Sequence, residues 1–194
     1  MIAFVLGNGI SRQSISVESL NQVGNVYGCN AIYRTDTVTV LVAADAQIAK
    51  EIQQSGYSKN NRFYTRRPFP QSGAREIPKL YFGYSSGPIA AGIACDDSNR
   101  KIYLLGFDLG PNTEGQFNNI YAGTTYYKPV GALPTYTGNW VKQLSTVISN
   151  NPSVDFVRVV GETTHQIQEF DTLANLSHIP LDTFVKRINM QKDL

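Results

Sequence analysis

Residues 2–9 read Ile-Ala-Phe-Val-Leu-Gly-Asn-Gly, and this stretch decides the fold class. Its first five residues form a continuous apolar run, which is typical of a β-strand buried on both faces of a sheet. The Gly7-Asn8-Gly9 segment ends the run, and residues 17–23 then have the pattern of a short helix with Ser16 as its N-cap. The order of strand, glycine turn and helix predicts the opening of a parallel βαβ unit.

The same alternation continues along the chain. The pattern predicts further strands at 25–29, 38–44, 63–65, 79–84, 101–107 and 154–160, and further helices at 46–54, 89–95, 139–149 and 181–188. We therefore expect an α/β fold with a mostly parallel sheet that is covered by helices on both faces. Residues 1–194 are expected to form a single domain, with a basic loop at 57–78 and a long polar, aromatic loop at 110–136.

Composition excludes several classes of protein. Of the 194 residues 42% are hydrophobic and 16% are charged, and the net charge is +2. These values are typical of a globular domain, and they argue against a protein built to coat nucleic acid or an anionic membrane. Two cysteines and two histidines are too few for a disulfide framework or a convincing zinc site, so no metal is expected. Cys29 and Cys95 are predicted to be free buried thiols in a reducing compartment, and His165 and His178 to be surface residues.

The N-terminal apolar run is too short for a signal peptide or a membrane span, and it lacks a basic start. No other stretch approaches the length of a membrane span. A cytoplasmic location is therefore expected.

Polar residues follow the predicted strands at the points where the strands end. In parallel sheets ligands bind beyond the carboxyl ends of the strands, where the strand order reverses. Amide, hydroxyl and carboxylate groups at such an edge are suited to bind a sugar, a ribose or a base. The candidates are Asn8, Asn30, Asp45, Ser85, Ser86 and Asp108.

Each of these motifs also has a structural interpretation. Gly7 and Gly9 are suited to a tight turn, or to bringing backbone amides close to a phosphate with Arg12 adding charge. Ser85-Ser86-Gly87 is also a plausible helix cap, and Asp108 a turn or cap residue. Tyr126 and Tyr127 are equally compatible with ordinary aromatic packing. The glycine turn lacks both the full dinucleotide-binding pattern and the lysine of a phosphate-binding loop.

A basic segment is a second candidate site. Residues 59–79 hold one acidic residue, Glu76, and aromatic residues at Phe63, Tyr64 and Phe69, beside the cations Lys59, Arg62, Arg66, Arg67, Arg75 and Lys79. Such a mixture can bind single-stranded nucleic acid by charge and stacking, or it can be a solvated loop. Because the whole chain carries only +2, we expect this charge to be local, as at the rim of a pocket.

Four motifs in order resemble the small bacterial sialyltransferases that use CMP-sialic acid. The resemblance covers roughly residues 2–160. The four motifs are residues 6–11 (Leu-Gly-Asn-Gly-Ile-Ser), residues 28–33 (Gly-Cys-Asn-Ala-Ile-Tyr), Ser85-Ser86-Gly87 together with residues 102–108, and residues 123–127 (Gly-Thr-Thr-Tyr-Tyr). The opening turn is also similar to that of the 6-hydroxymethylpterin diphosphokinase-like family. The resemblance implies a Rossmann-like three-layer fold that binds a nucleotide-sugar.

By this resemblance Gly7, Asn8, Gly9, Asn30, Ser85, Ser86 and Gly87 would line the nucleotide pocket, and Tyr126 and Tyr127 would flank the leaving phosphate. Asp45 stands where the family tends to have an asparagine. The family carries a catalytic histidine after the aromatic loop, and the corresponding residues 136–140 (Tyr-Thr-Gly-Asn-Trp) contain none. The chain thus resembles a divergent member that lacks the catalytic histidine, and Asp108 and Asp45 remain as weak candidates for a catalytic base.

Two functions follow as expectations. The first is transfer of a sugar or related group from a nucleotide-activated donor, which is a substrate, with no tightly bound cofactor. The second is non-catalytic binding by a descendant of the fold, since the layout is also similar to that of small single-domain proteins of tailed phages. A phage protein would work in the host cytoplasm or as an accessory part of the virion. The oligomeric state is not predicted.

Overall fold

The sheet is entirely parallel. The structure is a computed structural model that describes residues 1–190. Its strand order is β5-β4-β3-β2-β1-β6-β7-β8. All neighbouring pairs run in the same direction. The strands are β1 (Ile2–Leu6), β2 (Asn25–Cys29), β3 (Val40–Ala43), β4 (Phe63–Thr65), β5 (Arg75–Glu76), β6 (Lys101–Leu105), β7 (Asp155–Val160) and β8 (Leu176–Pro180).

Helices cover both faces of the sheet. They are α1 (Val17–Asn21), α2 (Ala46–Gln54), α3 (Tyr57–Asn60), α4 (Ser86–Asp96), α5 (Gly138–Ser149) and α6 (Leu181–Met190). Successive strand residues point to opposite faces, so Ala3 and Val5 join the core beneath α4 and α5. Phe4 and Leu6 join the core beneath α1, α2 and α6. The predicted α/β, Rossmann-like three-layer sandwich is confirmed.

The chain changes direction across the sheet once, at β1. It runs outward from β1 through β2, β3 and β4 to β5, and then returns to place β6 on the other side of β1. The carboxyl ends of β1 and β6 therefore adjoin at the point where the strand order reverses. This is the place where a parallel sheet leaves a crevice for a ligand.

The strand predicted at residues 79–84 is wrong. Lys79–Tyr81 form a 3-10 turn, and the two-residue β5 takes the edge of the sheet instead. Pro78 lacks the N–H that a strand ladder needs, and only Tyr81 of the turn is buried. Ser85 and Ser86 therefore follow a turn rather than a strand, although they still open α4.

Two further features differ from the prediction. Helix α4 begins at Ser86 rather than Ile89, so Pro88 lies inside its first turn, where a missing N–H costs little. Strand β8 was not predicted, because its five residues are mostly exposed and lack an apolar run.

The prediction for the two histidines is confirmed, and that for the two cysteines is confirmed in part. His165 and His178 are exposed, as predicted. Both cysteines are free, but only Cys29 is buried and Cys95 is half-buried. Burial raises the pKa of each thiol to about 12. Within residues 1–190 no helix has the length and apolar character that crossing a membrane requires.

Candidate functional site

A cleft of about 360 Å³ lies at the carboxyl edge of the sheet, over the reversal point between β1 and β6. This volume is within the range of small-molecule sites. The cleft brings together every predicted site residue except Arg12. The residues are Gly7, Asn8, Gly9, Asn30, Asp45, Ser85, Ser86, Gly87, Asp108, Tyr126 and Tyr127.

The glycine turn forms the floor of the cleft and joins the ends of β1 and β6. The Gly7 N–H donates to the Leu105 carbonyl at 2.8 Å, and the Gly9 N–H donates to the Gly106 carbonyl at 2.9 Å. A Cβ at Gly7 would lie 2.5 Å from the Gly106 oxygen, and one at Gly9 would lie 2.4 Å from the Asp108 Cγ. Both positions therefore require glycine because of close packing, and the backbone stays open toward the cleft.

A chain of hydrogen bonds fixes the side chain of Asn30. Ser86 Oγ donates to Asn30 Oδ1 at 3.0 Å and accepts from the Ala44 N–H at 3.0 Å. The chain ties the ends of β2 and β3 to the first residue of α4. Because Ser86 occupies the Asn30 oxygen, the amide group that Asn30 offers to a ligand is its Nδ2.

Asn8 offers a ligand a hydrogen-bond acceptor, whereas Asn30 offers a donor. Its Oδ1 is buried and has no hydrogen-bond partner among the described residues. Its Nδ2 lies 3.5 Å from the Tyr127 hydroxyl, which also accepts from the Ala31 N–H at 3.4 Å. A buried carbonyl oxygen without a donor costs free energy, so Asn8 is poised to accept a hydrogen bond from a ligand.

The two tyrosines differ in exposure. Tyr127 packs beside Tyr121, with ring centroids 5.5 Å apart, and burial raises the pKa of Tyr127 well above its usual value. Tyr126 is half exposed and has φ of 70°, so its ring stands at the mouth of the cleft. The two tyrosines are therefore compatible both with aromatic packing and with ligand contact, and the Tyr126 ring is the more accessible to a ligand.

Arg12 lies beneath the glycine turn rather than in the cleft. It is only 5% exposed. Its Nε donates to the Gly7 carbonyl, and its Nη2 donates to the Tyr121 hydroxyl at 3.4 Å. The structure therefore favours a role in supporting the turn over direct contact with a phosphate.

The two candidate acids have opposite environments. Asp108 is 2% exposed. It accepts from the Ser11 N–H at 3.0 Å, from the Ser11 hydroxyl, and from Thr163 Oγ1 and Thr164 Oγ1 at 2.6 and 3.2 Å. These bonds occupy both of its oxygens, so Asp108 is better placed to hold the turn than to take a proton. Asp45 is exposed at the mouth, where α2 begins.

The long loop forms the opposite wall and is fastened to the glycine turn. Asn118 Oδ1 accepts from the Ile10 N–H at 2.8 Å, and the Ile120 N–H donates to the Asn8 carbonyl at 2.9 Å. The loop predicted at 110–136 is thus an ordered part of the site. Nothing in its sequence indicated where it would attach, because both partners lie about a hundred residues earlier.

No protein-family model, curated protein or solved structure matches this chain. Among residues 1–190 no group of three acidic, histidine or cysteine side chains is placed to hold a metal ion.

The cleft favours an anion. Helices α2, α4 and α5 all begin beside it, since Asp45, Ser85 to Pro88 and Trp140 line it. Helix N-termini present free N–H groups and a partial positive charge. Two cations add to this field: Arg66, which donates to the Tyr84 carbonyl at 3.0 Å, and Lys128.

Arg66 was predicted as part of the basic segment, whose charge was expected at the rim of a pocket, whereas Lys128 was not predicted as a site residue. Arg66 directly follows β4, so the rule that identified the other candidates would have identified Arg66 as well. Lys128 follows the tyrosine pair in an irregular loop, where the sequence gives no comparable signal.

Proposed function

We propose that this cleft binds a nucleotide-activated donor and that the protein is a nucleotide-sugar-binding, glycosyltransferase-like protein. The observation that carries the proposal is the convergence of short polar side chains from five strand-end and helix-start segments on one cleft. The resemblance of the glycine turn, the Cys29-Asn30 segment and the Ser85-Ser86-Gly87 segment to CMP-sialic-acid-dependent enzymes points to the same ligand class.

The cleft can accommodate both parts of such a donor. The phosphate would lie near the start of α4, where N–H groups, Arg66 and Lys128 supply positive charge. Asn8 Oδ1 and Asn30 Nδ2 provide one acceptor and one donor for the hydroxyls of a ribose or the edge of a base. This arrangement needs no tightly bound cofactor.

Group transfer would use the same charges. An acceptor hydroxyl attacks the anomeric carbon of the sugar, the bond to the phosphate breaks, and the nucleotide leaves with the bonding electron pair. The helix N-termini and the two cations stabilise the negative charge that grows on the leaving phosphate. The acceptor proton must pass to a base, and Asp45 is the carboxylate that is both exposed and at the mouth.

One observation favours non-catalytic binding as the alternative. None of the cleft-lining side chains among the described residues is a histidine, and Asp108 is fully engaged in hydrogen bonds. A protein that retained the pocket but lost the base would bind the nucleotide without turning it over.

Isothermal titration calorimetry with CMP, UDP, GDP and their sugars, with and without divalent metal, tests binding. Removal of one ligand hydrogen bond by Asn8→Ala is expected to weaken binding roughly tenfold. Asn150→Ala is the matched control, because Asn150 is exposed at the far end of α5. Absence of binding to every compound at millimolar concentration, or equal loss in both variants, would contradict the proposal.

Hydrolysis or transfer of any sugar that binds separates the two alternatives. Release of nucleotide that depends on Asp45 supports an enzyme. Binding without release supports a binding protein.

A further inference from the structure

Exposed apolar side chains are concentrated in two segments of the chain that reach the cleft. Apart from Met1 and Met190, the large hydrophobic side chains exposed on residues 1–190 all lie in two segments. We name residues 66–83 the first flank and residues 126–136 the second flank. Their exposed side chains are Phe69, Leu80 and Phe82 on the first flank, and Tyr126, Val130, Leu133 and Tyr136 on the second.

The degree of exposure is high for aliphatic side chains. Leu80 is 69% exposed, Val130 78% and Leu133 83%. Isolated exposed apolar residues are common on protein surfaces, but a concentration in two segments beside a cleft indicates an interaction site.

Both flanks reach the carboxyl edge of the sheet. The first flank leaves the carboxyl end of β4 and passes through β5, and its residues 77–83 then lead from the carboxyl end of β5 to the start of α4. Phe69 lies on the return to β5, where its N–H donates to Gln53 of α2. The second flank belongs to the connection from the carboxyl end of β6 to the start of α5. Arg66 of the first flank and Lys128 of the second line the cleft, so the two flanks meet its mouth from opposite sides.

Cations accompany these apolar side chains. The first flank holds Arg66, Arg67, Arg75 and Lys79 against Glu76, and the second holds Lys128 with no acidic residue. The ion pairs found within residues 1–190 are Arg34–Glu51 and Arg62–Asp97, which involve none of the flank cations. The charge of the flanks therefore faces solvent, while the rest of the chain is slightly acidic.

We propose that the two flanks bind the surface of an anionic lipid membrane. Exposed aliphatic and aromatic side chains surrounded by lysine and arginine are the features of a protein surface that rests in the headgroup region. Such contact needs no membrane-spanning helix. The membrane lies across the mouth of the cleft, with Leu80 and Leu133 entering the boundary with the acyl chains.

Charge and side-chain type argue against the other occupants. A second copy of the chain would bring two positively charged faces together in a symmetric dimer, which is repulsive. Single-stranded nucleic acid would satisfy the charge and could stack on the four exposed aromatic rings of the flanks, but it does not account for Leu80, Val130 and Leu133, which are aliphatic and at least 69% exposed.

The location of these flanks bears on where the acceptor of group transfer would be bound. The acceptor of group transfer would be presented at the lipid surface, as a headgroup or a lipid-linked sugar, and this step rests on the proposed function. Lipid binding itself does not depend on the cleft being filled.

Co-sedimentation with vesicles, without any nucleotide, tests the proposal. The full chain is expected to bind vesicles that mix phosphatidylcholine with phosphatidylglycerol, and to bind pure phosphatidylcholine far more weakly. Each flank cation near the surface contributes about fivefold, so the double variant Arg67→Gln, Lys79→Gln should bind about 30-fold more weakly. The double variant Leu80→Ser, Leu133→Ser should lose most of the remaining affinity.

Matched controls are available on α6. Lys186→Gln removes an exposed cation and Met190→Ser removes an exposed apolar side chain, both away from the flanks, and neither should change binding. All substituted residues are exposed, so the thermal midpoints should stay close to that of the wild type.

Three results would overturn the proposal: equal binding to both kinds of vesicle, equal loss in the control variants, or binding to single-stranded oligonucleotide in place of vesicles. A dimer in sedimentation that Leu133→Ser dissociates would also overturn it. Because no nucleotide is present, none of these results bears on donor binding, and the two proposals fail separately.

Discussion

Substitution of Asp108 by asparagine separates a structural role from a catalytic one. The carboxylate is buried and accepts four hydrogen bonds from Ser11, Thr163 and Thr164. Asparagine keeps the shape but presents one acceptor and a donor, so the serine and threonine hydroxyls must reorient and all four bonds lose their charge assistance. A bond to a charged group contributes about 1 kcal/mol more than a neutral one, so the expected loss over four bonds is about 4 kcal/mol.

A second effect also lowers the free energy of unfolding of the Asp108→Asn variant. The buried guanidinium of Arg158 donates to the carbonyls of Phe107, Asp108 and His165, and burial lowers the pKa of Arg158 to about 10. The Asp108 charge is the opposing influence that raises the pKa, and asparagine removes it. The variant therefore leaves a buried cation with less compensation.

Urea unfolding measures the loss, and the thermal midpoint should fall by about 8–16 °C. Asp45→Asn is the matched control: its carboxylate is exposed, so its free energy of unfolding should change by less than about 0.5 kcal/mol. An Asp108→Asn protein as stable as the wild type, with nucleotide binding intact and group transfer abolished, would refute the structural role and identify Asp108 as the base.

Three further predictions follow from the packing of the cleft and the core. Gly9→Ala should destabilise the protein and abolish nucleotide binding, because the new Cβ would lie 2.4 Å from the Asp108 Cγ. Thermal unfolding followed by circular dichroism measures the stability, and calorimetry measures the binding. A variant as stable as the wild type that still binds would contradict the described turn. Ser86→Ala should cost about 1–2 kcal/mol in urea unfolding, since the Ala44 N–H loses its acceptor and Asn30 loses its orientation; no loss would show that the chain of hydrogen bonds is unimportant. Stability should fall as pH rises from about 9 to 12, because the folded state keeps the thiols of Cys29 and Cys95 protonated while the unfolded state releases their protons. Equal unfolding midpoints at pH 8 and pH 10.5 would contradict the burial of these thiols. Rapid thiol labelling of the folded protein at pH 8 would also contradict it.

The sequence predicted the sheet well because its central strands carry strong local signals. Residues 2–6 and 102–105 are continuous apolar runs that only a doubly covered strand can bury. The first forms a strand with the predicted bounds, and the second lies in the strand Lys101–Leu105, which is two residues shorter than the predicted 101–107. The edge strands lack such signals. Strand β5 has two exposed residues, and β8 is mostly exposed, so the parallel neighbours that hold them decide their structure. Residues 79–84 were predicted to be a further strand, but the Tyr81 N–H donates to the Pro78 carbonyl and closes a turn there.

The position of the candidate site was predictable for a topological reason. A parallel sheet brings the carboxyl ends of all its strands to one edge, so residues at strand ends converge whatever their separation along the chain. Asn8, Asn30 and Asp45 converge in this way, and Ser86 does so through the start of a helix. Arg12 was the exception, because it lies several residues beyond the end of β1, where the chain has already turned beneath the glycines.

The chemical state of a converging residue depends on parts of the chain that no local pattern identifies. Asp45 and Asp108 both come soon after apolar strands and both reach the cleft. Thr163 and Thr164, more than fifty residues later, close over Asp108, whereas Asp45 lies exposed at the mouth. Charge was predictable in part, since the low net charge of +2 indicated that the cations of residues 59–79 are local, as at the rim of a pocket, but nothing in the sequence indicated that Lys128 would join Arg66 at one cleft. Strand-end patterns therefore locate a site of this kind, and tertiary contacts decide which of its residues remain free to bind or to react.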